Sequence, residues 1–385
     1  MLSLRKRQNG VIRYYILLLF SLLYISSPAQ AQFGESDLRI FGYFQTLFHY
    51  QNQDLPKRKL SSFSLQQLNL FMQKDLAQNW RAFINIEGVN TFNSKRNWGS
   101  LRFEEAWARY RSGVKFNLKV GLQIPTFNHF NEIKNRTPLL PYAIRPLVYE
   151  TSFEEIISVE EYVPTRAFVQ AYGFLPHNNF KLDYALYIGN SPNINDLKDN
   201  GQTGIDTTAS LLVGGRIGIR FLGLKAGVST TRQNIDFFDF AANIYGGSEN
   251  LYEDVIQTRL GADFSLDLRR LYLEGEYISV SYEEINATAN IDKDFYYGTL
   301  GYDLTEHALI YGTYWHTGEE FQIITFTVDV FSAGLSYSLN DRTKLKAQYA
   351  RVKIREELKV QLGTTLPRVD RSKFHYLGAA LSIFF

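Results

Sequence analysis

The amino-acid sequence predicts an all-β chain that crosses a membrane as an antiparallel β-barrel of about sixteen strands. Three observations predict it. Apolar and polar residues alternate with period two in run after run, the links between runs alternate between short and long, and the last run is an apolar stripe ending on Phe385.

Alternation fixes the element type. In residues 115–124, Phe116, Leu118, Val120, Leu122 and Ile124 take one face, and Lys115, Asn117, Lys119, Gly121 and Gln123 take the other. Residues 180–188 set Phe180, Leu182, Tyr184, Leu186 and Ile188 against Lys181, Asp183, Ala185 and Tyr187. Residues 256–268 do the same, with Leu260, Ala262, Phe264 and Leu266 opposite Gln257, Arg259, Asp263 and Ser265. Successive strand side chains point to opposite faces, so each run is a strand with one oily and one wet side. The runs are roughly 9–13 residues long, which suits a tilted strand crossing a bilayer, whereas strands of soluble domains average about five or six.

In order, the strands fall at 38–50, 63–74, 79–90, 101–112, 115–125, 166–173, 179–189, 210–221, 223–231, 255–268, 270–282, 293–304, 307–316, 326–339, 342–354 and 373–385. Short links at 75–78, Ser112 with Gly113, 174–178, Leu222 with Gly223, 268–270, 304–307 and 339–342 join them in hairpins. Longer polar loops lie near 51–62, 91–100, 126–165, 190–209, 232–254, 283–292, 317–325 and 355–372. Every tight turn therefore lies on one side and every long loop on the other. Outer-membrane barrels show this asymmetry, with short periplasmic turns and long extracellular loops, and a soluble sandwich has no reason to.

The last strand adds its own signal. Leu377, Ala379, Leu381, Ile383 and Phe385 form the apolar stripe, opposite Tyr376, Gly378, Ala380, Ser382 and Phe384. A strand ending on an aromatic residue is similar to the signal read by the barrel-assembly machinery of outer membranes, which makes that machinery an expected partner of Phe385.

Composition narrows the class further. With 41 basic and 39 acidic residues the net charge is +2, which excludes a broad basic face for nucleic acid. The 25 Tyr and 29 Phe suit strands and membrane–water boundaries, and the absence of Cys excludes a disulfide frame or thiolate metal site. Arg5, Lys6, Arg7 and Arg13, the apolar residues 16–25 and Ala29-Gln30-Ala31 read as a signal peptide over 1–31, leaving 32–385 as the barrel. The location this implies is the outer membrane of a Gram-negative bacterium, in contact with its lipid and lipopolysaccharide.

The polar stripes then line a lumen, and barrels of this size hold an aqueous channel. Glu105, Arg109, Lys119, Gln123, Asp183, Arg216, Arg220, Arg259, Asp263, Glu274, Glu276 and Lys346 are among the expected lining residues, with Lys115 also placed there. Such a wall carries both signs and suits small hydrophilic solutes or ions. The loop at 126–165 is the longest and holds five of the ten prolines, Pro125 at its entry included. Its apolar residues (Leu139, Leu140, Ile144, Leu147, Val148) argue for a packed loop folded into the lumen, where Arg136, Arg145 and Glu150 would sit at the narrowest point.

The stretch Leu118-Lys119-Val120-Gly121-Leu122-Gln123-Ile124-Pro125 resembles the strand end before the constriction loop of trimeric sixteen-stranded porins, nearest the phosphate-selective porin O/P group. Glu104-Glu105-Ala106-Trp107-Ala108-Arg109-Tyr110 is similar to another of their strands. The resemblance implies a homotrimeric diffusion channel. Where that family's second strand carries arginines, this chain has Gln66, Gln67 and Asn69, and neutral amides cannot supply the anion-attracting charge of guanidinium groups. A mild anion preference from Arg109, Lys119, Arg216 and Arg220 is what remains.

No enzyme motif or metal-ligand spacing stands out. The six histidines are scattered, and neither G-x-S-x-G, a P-loop nor H-E-x-x-H occurs. No cofactor is expected. The competing readings are a non-transport barrel (adhesin or scaffold), which a silent planar bilayer would favour, and a hydrophobic-substrate transporter, which needs an apolar lumen.

Overall fold

The structure, a computed structural model, describes residues 38–53, 58–89, 100–133, 136–149, 163, 165–191, 210–238, 251–283, 291–320, 324–358 and 369–385. The leader read at 1–31 lies outside the described residues. Sixteen strands are present among those described: β1 (Arg39–Gln53), β2 (Arg58–Ala77), β3 (Trp80–Val89), β4 (Ser100–Arg111), β5 (Asn117–Gln123), β6 (Arg166–His177), β7 (Phe180–Gly189) and β8 (Leu212–Phe221). They continue with β9 (Leu224–Phe238), β10 (Leu251–Leu268), β11 (Leu271–Glu283), β12 (Ile291–Asp303), β13 (Ala308–Glu320), β14 (Ile324–Asn340), β15 (Thr343–Leu358) and β16 (Val369–Phe384). Each pairs antiparallel with its sequence neighbours, and β1 pairs with β16 from Tyr43 opposite Phe384 to Gln53 opposite Phe374, so the sheet closes. Closure removes the free edges that hydrocarbon cannot tolerate. The last residue joins this seam, because Phe385 and Gly42 exchange backbone hydrogen bonds of 3.0 and 2.9 Å.

The alternation sorts as the sequence predicts. On β7, Leu186 is 63% exposed on the outer face, while Tyr187 beside it is 3% exposed and points inward. On β8, Ile217 is 56% exposed and Arg216 only 8%. Turns at the short-link end are tight. Leu222 and Gly223, with φ of 43° and 88°, both take the left-handed conformation that matches a two-residue hairpin to strand twist.

Two differences from the sequence reading have physical causes. Lys115 lies exposed in the link before β5, because that strand begins only at Asn117. Several strands also outrun their expected lengths, β2 to 20 residues and β10 to 18. A bilayer needs only about ten residues per strand, so the excess stands above the membrane, where backbone pairing continues without a lipid-facing stripe.

There the polarity reverses. On β15, Ala350, Val352 and Ile354 are buried inside while Arg351, Lys353 and Arg355 face outward. On β11, Ile278, Val280 and Tyr282 likewise point in. The lumen wall is therefore wet in one part and apolar in another.

Candidate transport pathway

The chain leaves β5 at Pro125 and turns inward. A short helical turn, α1 (Asn128–Asn131), and two 3₁₀ turns at Thr137–Leu139 and Leu147–Tyr149 are the loop's regular elements among the described residues. Phe127, Phe130, Leu140, Tyr142, Ile144, Leu147, Val148 and Tyr149 are buried in one apolar cluster with wall residues such as Val280, Tyr297, Tyr311, Trp315, Val330 and Val352. The apolar part of the wall thus has a partner: the loop covers it. This burial drives the loop inward, and inward is where the sequence's apolar content sends it.

Polar contacts fix its position around the ring. On the β9–β12 side, Asn128 N–H donates to Ser229 Oγ at 2.9 Å and Phe130 N–H to Glu276 Oε1 at 2.5 Å. The hydroxyls of Tyr149 and Tyr142 donate to Glu276 Oε2 at 2.7 Å and Glu274 Oε1 at 2.6 Å. Facing them, Gln348 Oε1 on β15 accepts from the N–H groups of Ala143 and Ile144, both at 2.9 Å. Lys346 Nζ donates to the carbonyls of Thr137 and Pro138 and to Gln45 Oε1. Burial, and then the adjoining glutamates, hold both tyrosine hydroxyls well above the ordinary phenol range, so they remain donors. His129, on α1, is pushed below the ordinary imidazole value, first by burial and then by Lys225.

The amides of β2 belong to the same clamp. A register shift in the β1–β2 ladder beside Gln45 lets neighbouring Gln66 and Gln67 both reach the loop. Gln66 Nε2 donates to Ala143 O at 3.0 Å, and Gln67 Oε1 accepts from Thr137 N–H at 3.1 Å. Asn69 instead donates to Asn85 Oδ1 on β3 at 2.9 Å. Both glutamines grip loop backbone. Period-two reading places Gln66 and Gln67 on opposite faces and misses this.

The sequence-predicted site residues separate into groups. Arg109 on β4 and Lys119 on β5 are cross-strand neighbours, and Lys119 Nζ sits 5.4 Å from the Trp107 ring centroid. Arg136, at the start of the first 3₁₀ turn, lies within electrostatic reach of Lys119, as do Arg109, Glu132 and Glu105. Among the described residues none of these three cations forms a salt bridge.

Arg216 does. It grips Asp263 with Nε and a second nitrogen at 3.0 and 2.6 Å, and it holds Asp183 at 2.6 Å. Arg220 also bonds Asp183, at 2.7 Å, and lies 4.8 Å from the Phe174 ring centroid. Gln123 turns its amide nitrogen to the Phe168 carbonyl at 2.9 Å, which leaves little of it for a passing solute. Arg145 lies in the loop within electrostatic reach of Glu87. Glu150 lies outside the described residues, as do the loop glutamates 154, 155, 160 and 161.

Tyr142, Tyr149, Gln66 and Gln348 were not legible as loop holders, because nothing local in the sequence marks their partners. Glu274 and Glu276 were legible as lining residues but not as acceptors.

Comparison with known proteins agrees with this architecture. The family profile of Gram-negative porins matches residues 18–356. No curated protein matches the sequence. Among solved structures, an anion-selective porin from Comamonas acidovorans is similar over 91% of this chain and 100% of its own, at 14% identity and a TM-score of 0.60. The outer membrane channel DcaP of Acinetobacter baumannii is similar over 91% and 97%, at 11% identity and 0.59. OmpT of Vibrio cholerae, in a trimer form, matches over 91% and 99%, at 9% identity and 0.56. At such identities these likenesses speak for the fold, while the profile speaks for the family. The closed sixteen-stranded ring, its inward-folded third loop and the family match together make this chain a member of the Gram-negative porins, a diffusion channel of the outer membrane.

Proposed function

We propose that the chain is a general porin with a mild preference for small hydrophilic anions, set by Arg109, Lys119 and Arg136. The supporting observation is an imbalance in pairing. Many lumen carboxylates are matched: Asp183 and Asp263 by Arg216, and Glu274 and Glu276 by tyrosine hydroxyls. The three cations at the loop's entry form no salt bridge among the described residues and outnumber the two carboxylates within reach of Lys119, Glu105 and Glu132, so a net positive field acts on solutes. Such a cluster beside a low-dielectric wall concentrates counter-ions. Arg216 and Arg220 contribute less, because their charge is spent on Asp183 and Asp263. Gln123 and Arg145 border the same region.

The finer parts of this reading are a leader over 1–31 removed on export, a homotrimeric assembly like the trimer form described for OmpT, lipopolysaccharide around the barrel, and recognition of Phe385 by the assembly machinery. Its role is passage rather than catalysis.

The test is electrical. Purified protein in a planar bilayer gives stable ohmic steps, and Lys119→Glu with Arg136→Glu shifts the reversal potential toward cations. Silent bilayers would return the reading to a non-transport barrel, and steps with unchanged selectivity would remove the three cations from the pathway.

A further inference from the structure

Neighbouring strands around the ring, from β16 through β1 to β4, each contribute one aromatic ring to a row on the inner wall: Phe384, Tyr43, Phe71, Phe83 and Trp107. The row is continuous. Tyr43 meets Phe71 edge-on at 5.2 Å between centroids, Phe71 stacks on Phe83 at 5.7 Å, and Phe83 stacks on Trp107 at 4.8 Å. These rings pack on one another and not in the apolar cluster that seats the loop. The row ends at the entry cations, where Lys119 Nζ of β5 stands 5.4 Å from the Trp107 centroid. Gly121, directly opposite Trp107 in the ladder, brings no side chain to compete with Lys119 for the ring.

Trp107 has a second contact. Its indole Nε1–H donates to Glu105 Oε1 at 3.1 Å. Glu105 and Lys119 are both buried and lie within electrostatic reach of one another, yet no salt bridge joins them among the described residues. A buried ammonium and a buried carboxylate so placed ordinarily pair, since each is costly to leave alone. Here one indole engages both, the ammonium by its ring and the carboxylate by its N–H. Glu132, the other acid within reach of Lys119, accepts instead from Thr126 Oγ1 at 3.0 Å.

The separation has a chemical consequence. In a salt bridge the ammonium would spend its N–H donors on Glu105. An aromatic face attracts the charge through its quadrupole and leaves donors for a passing anion. Resting on the anion preference proposed above, we infer that Trp107 is a positioning residue for selectivity, holding Lys119 and Glu105 apart so that the ammonium meets solute anions. Phe83, Phe71 and Tyr43 behind it fix the plane of the indole.

The experiment measures reversal potentials of the whole barrel in a planar bilayer under a potassium chloride gradient. Trp107→Leu lowers the chloride-to-potassium permeability ratio about five-fold, the equilibrium shift for one lost cation–π contact. In a Glu105→Gln background the same substitution has no further effect, because no carboxylate remains to capture the ammonium. A merely structural role would give the same fall in both backgrounds. Trp107→Phe keeps a ring but frees Glu105, so it lowers the ratio less and with the same dependence on background. It replaces the leucine variant if that one fails to show heat-modifiable gel migration. Lys119→Gln separates this inference from the selectivity reading beneath it. A ratio unchanged by Lys119→Gln sinks both. A ratio lowered by Lys119→Gln but untouched by the Trp107 variants overturns the positioning role alone, as does an equal fall in both backgrounds.

Discussion

Tyr149 donates its hydroxyl to Glu276 Oε2 at 2.7 Å across 127 positions of sequence. The loop's tip is thereby tied to the far wall of the ring, and Tyr142 repeats the arrangement on Glu274. A hydrogen bond to a charged acceptor contributes about 1.5–3 kcal/mol, and losing it strands a buried carboxylate. Tyr142→Phe with Tyr149→Phe is expected to release the loop. Single-channel records then show larger current fluctuations, and protease cuts near residues 142–149 in the assembled barrel. Quiet records from the double variant would show that apolar packing alone holds the loop.

The same tyrosines make the loop sensitive to alkali. Their folded-state values lie above the ordinary phenol range, so the folded protein holds those protons more tightly than the unfolded chain. Their stabilising effect is complete below about pH 10 and fades above it. His129 acts at the other end. Its folded value is lowered by burial, so its contribution is complete above about pH 6.5 and fades as pH falls below that. Conductance noise measured across pH is therefore lowest between these limits, and His129→Phe abolishes the acidic rise.

Arg216 and Arg109 separate structure from selectivity. Removing Arg216 leaves Asp183 and Asp263 buried without their main partner, a loss of about 3–5 kcal/mol for a broken buried pair. Arg216→Gln is expected to lower the temperature at which the barrel unfolds on a heat-modifiability gel. Arg109→Gln leaves that temperature unchanged and lowers anion preference. The reverse pattern would exchange their roles.

Gly121 is required by geometry. Its φ is +131°, and an added Cβ would stand 2.4 Å from the Ala106 carbonyl oxygen and 2.9 Å from Trp107 Cα. Backbone rather than flexible side chain blocks the space. Gly121→Val adds strain of about 1–3 kcal/mol at the strand that launches the loop. The expected readout is a reduced yield of heat-modifiable barrel, and a normal yield would show that β5 yields.

Much of the fold was legible one strand at a time. Leu186 outside and Tyr187 inside follow from alternation alone, because a strand's side-chain period is local. The sorting of turns and loops gave the closed ring's sidedness in the same way. What stayed hidden was whatever depends on a partner far along the chain. Arg216 looked like an open pore charge until Asp183 and Asp263 closed on it. Gln66 and Gln67 looked like neutral amides standing where charge would line the wall, until a bulge beside Gln45 let both grip the loop, Gln66 at Ala143 O and Gln67 at Thr137 N–H.

The sequence by itself determined that this chain is a membrane ring with an oily outside, since lipid accepts only one pattern of side chains and that pattern is written in neighbouring residues. Only the tertiary structure decided which lumen charges remain without a partner, because closing the ring and folding residues 126–149 across it brings together groups more than a hundred positions apart. Pairing at that range is set by register and packing, which no local period encodes.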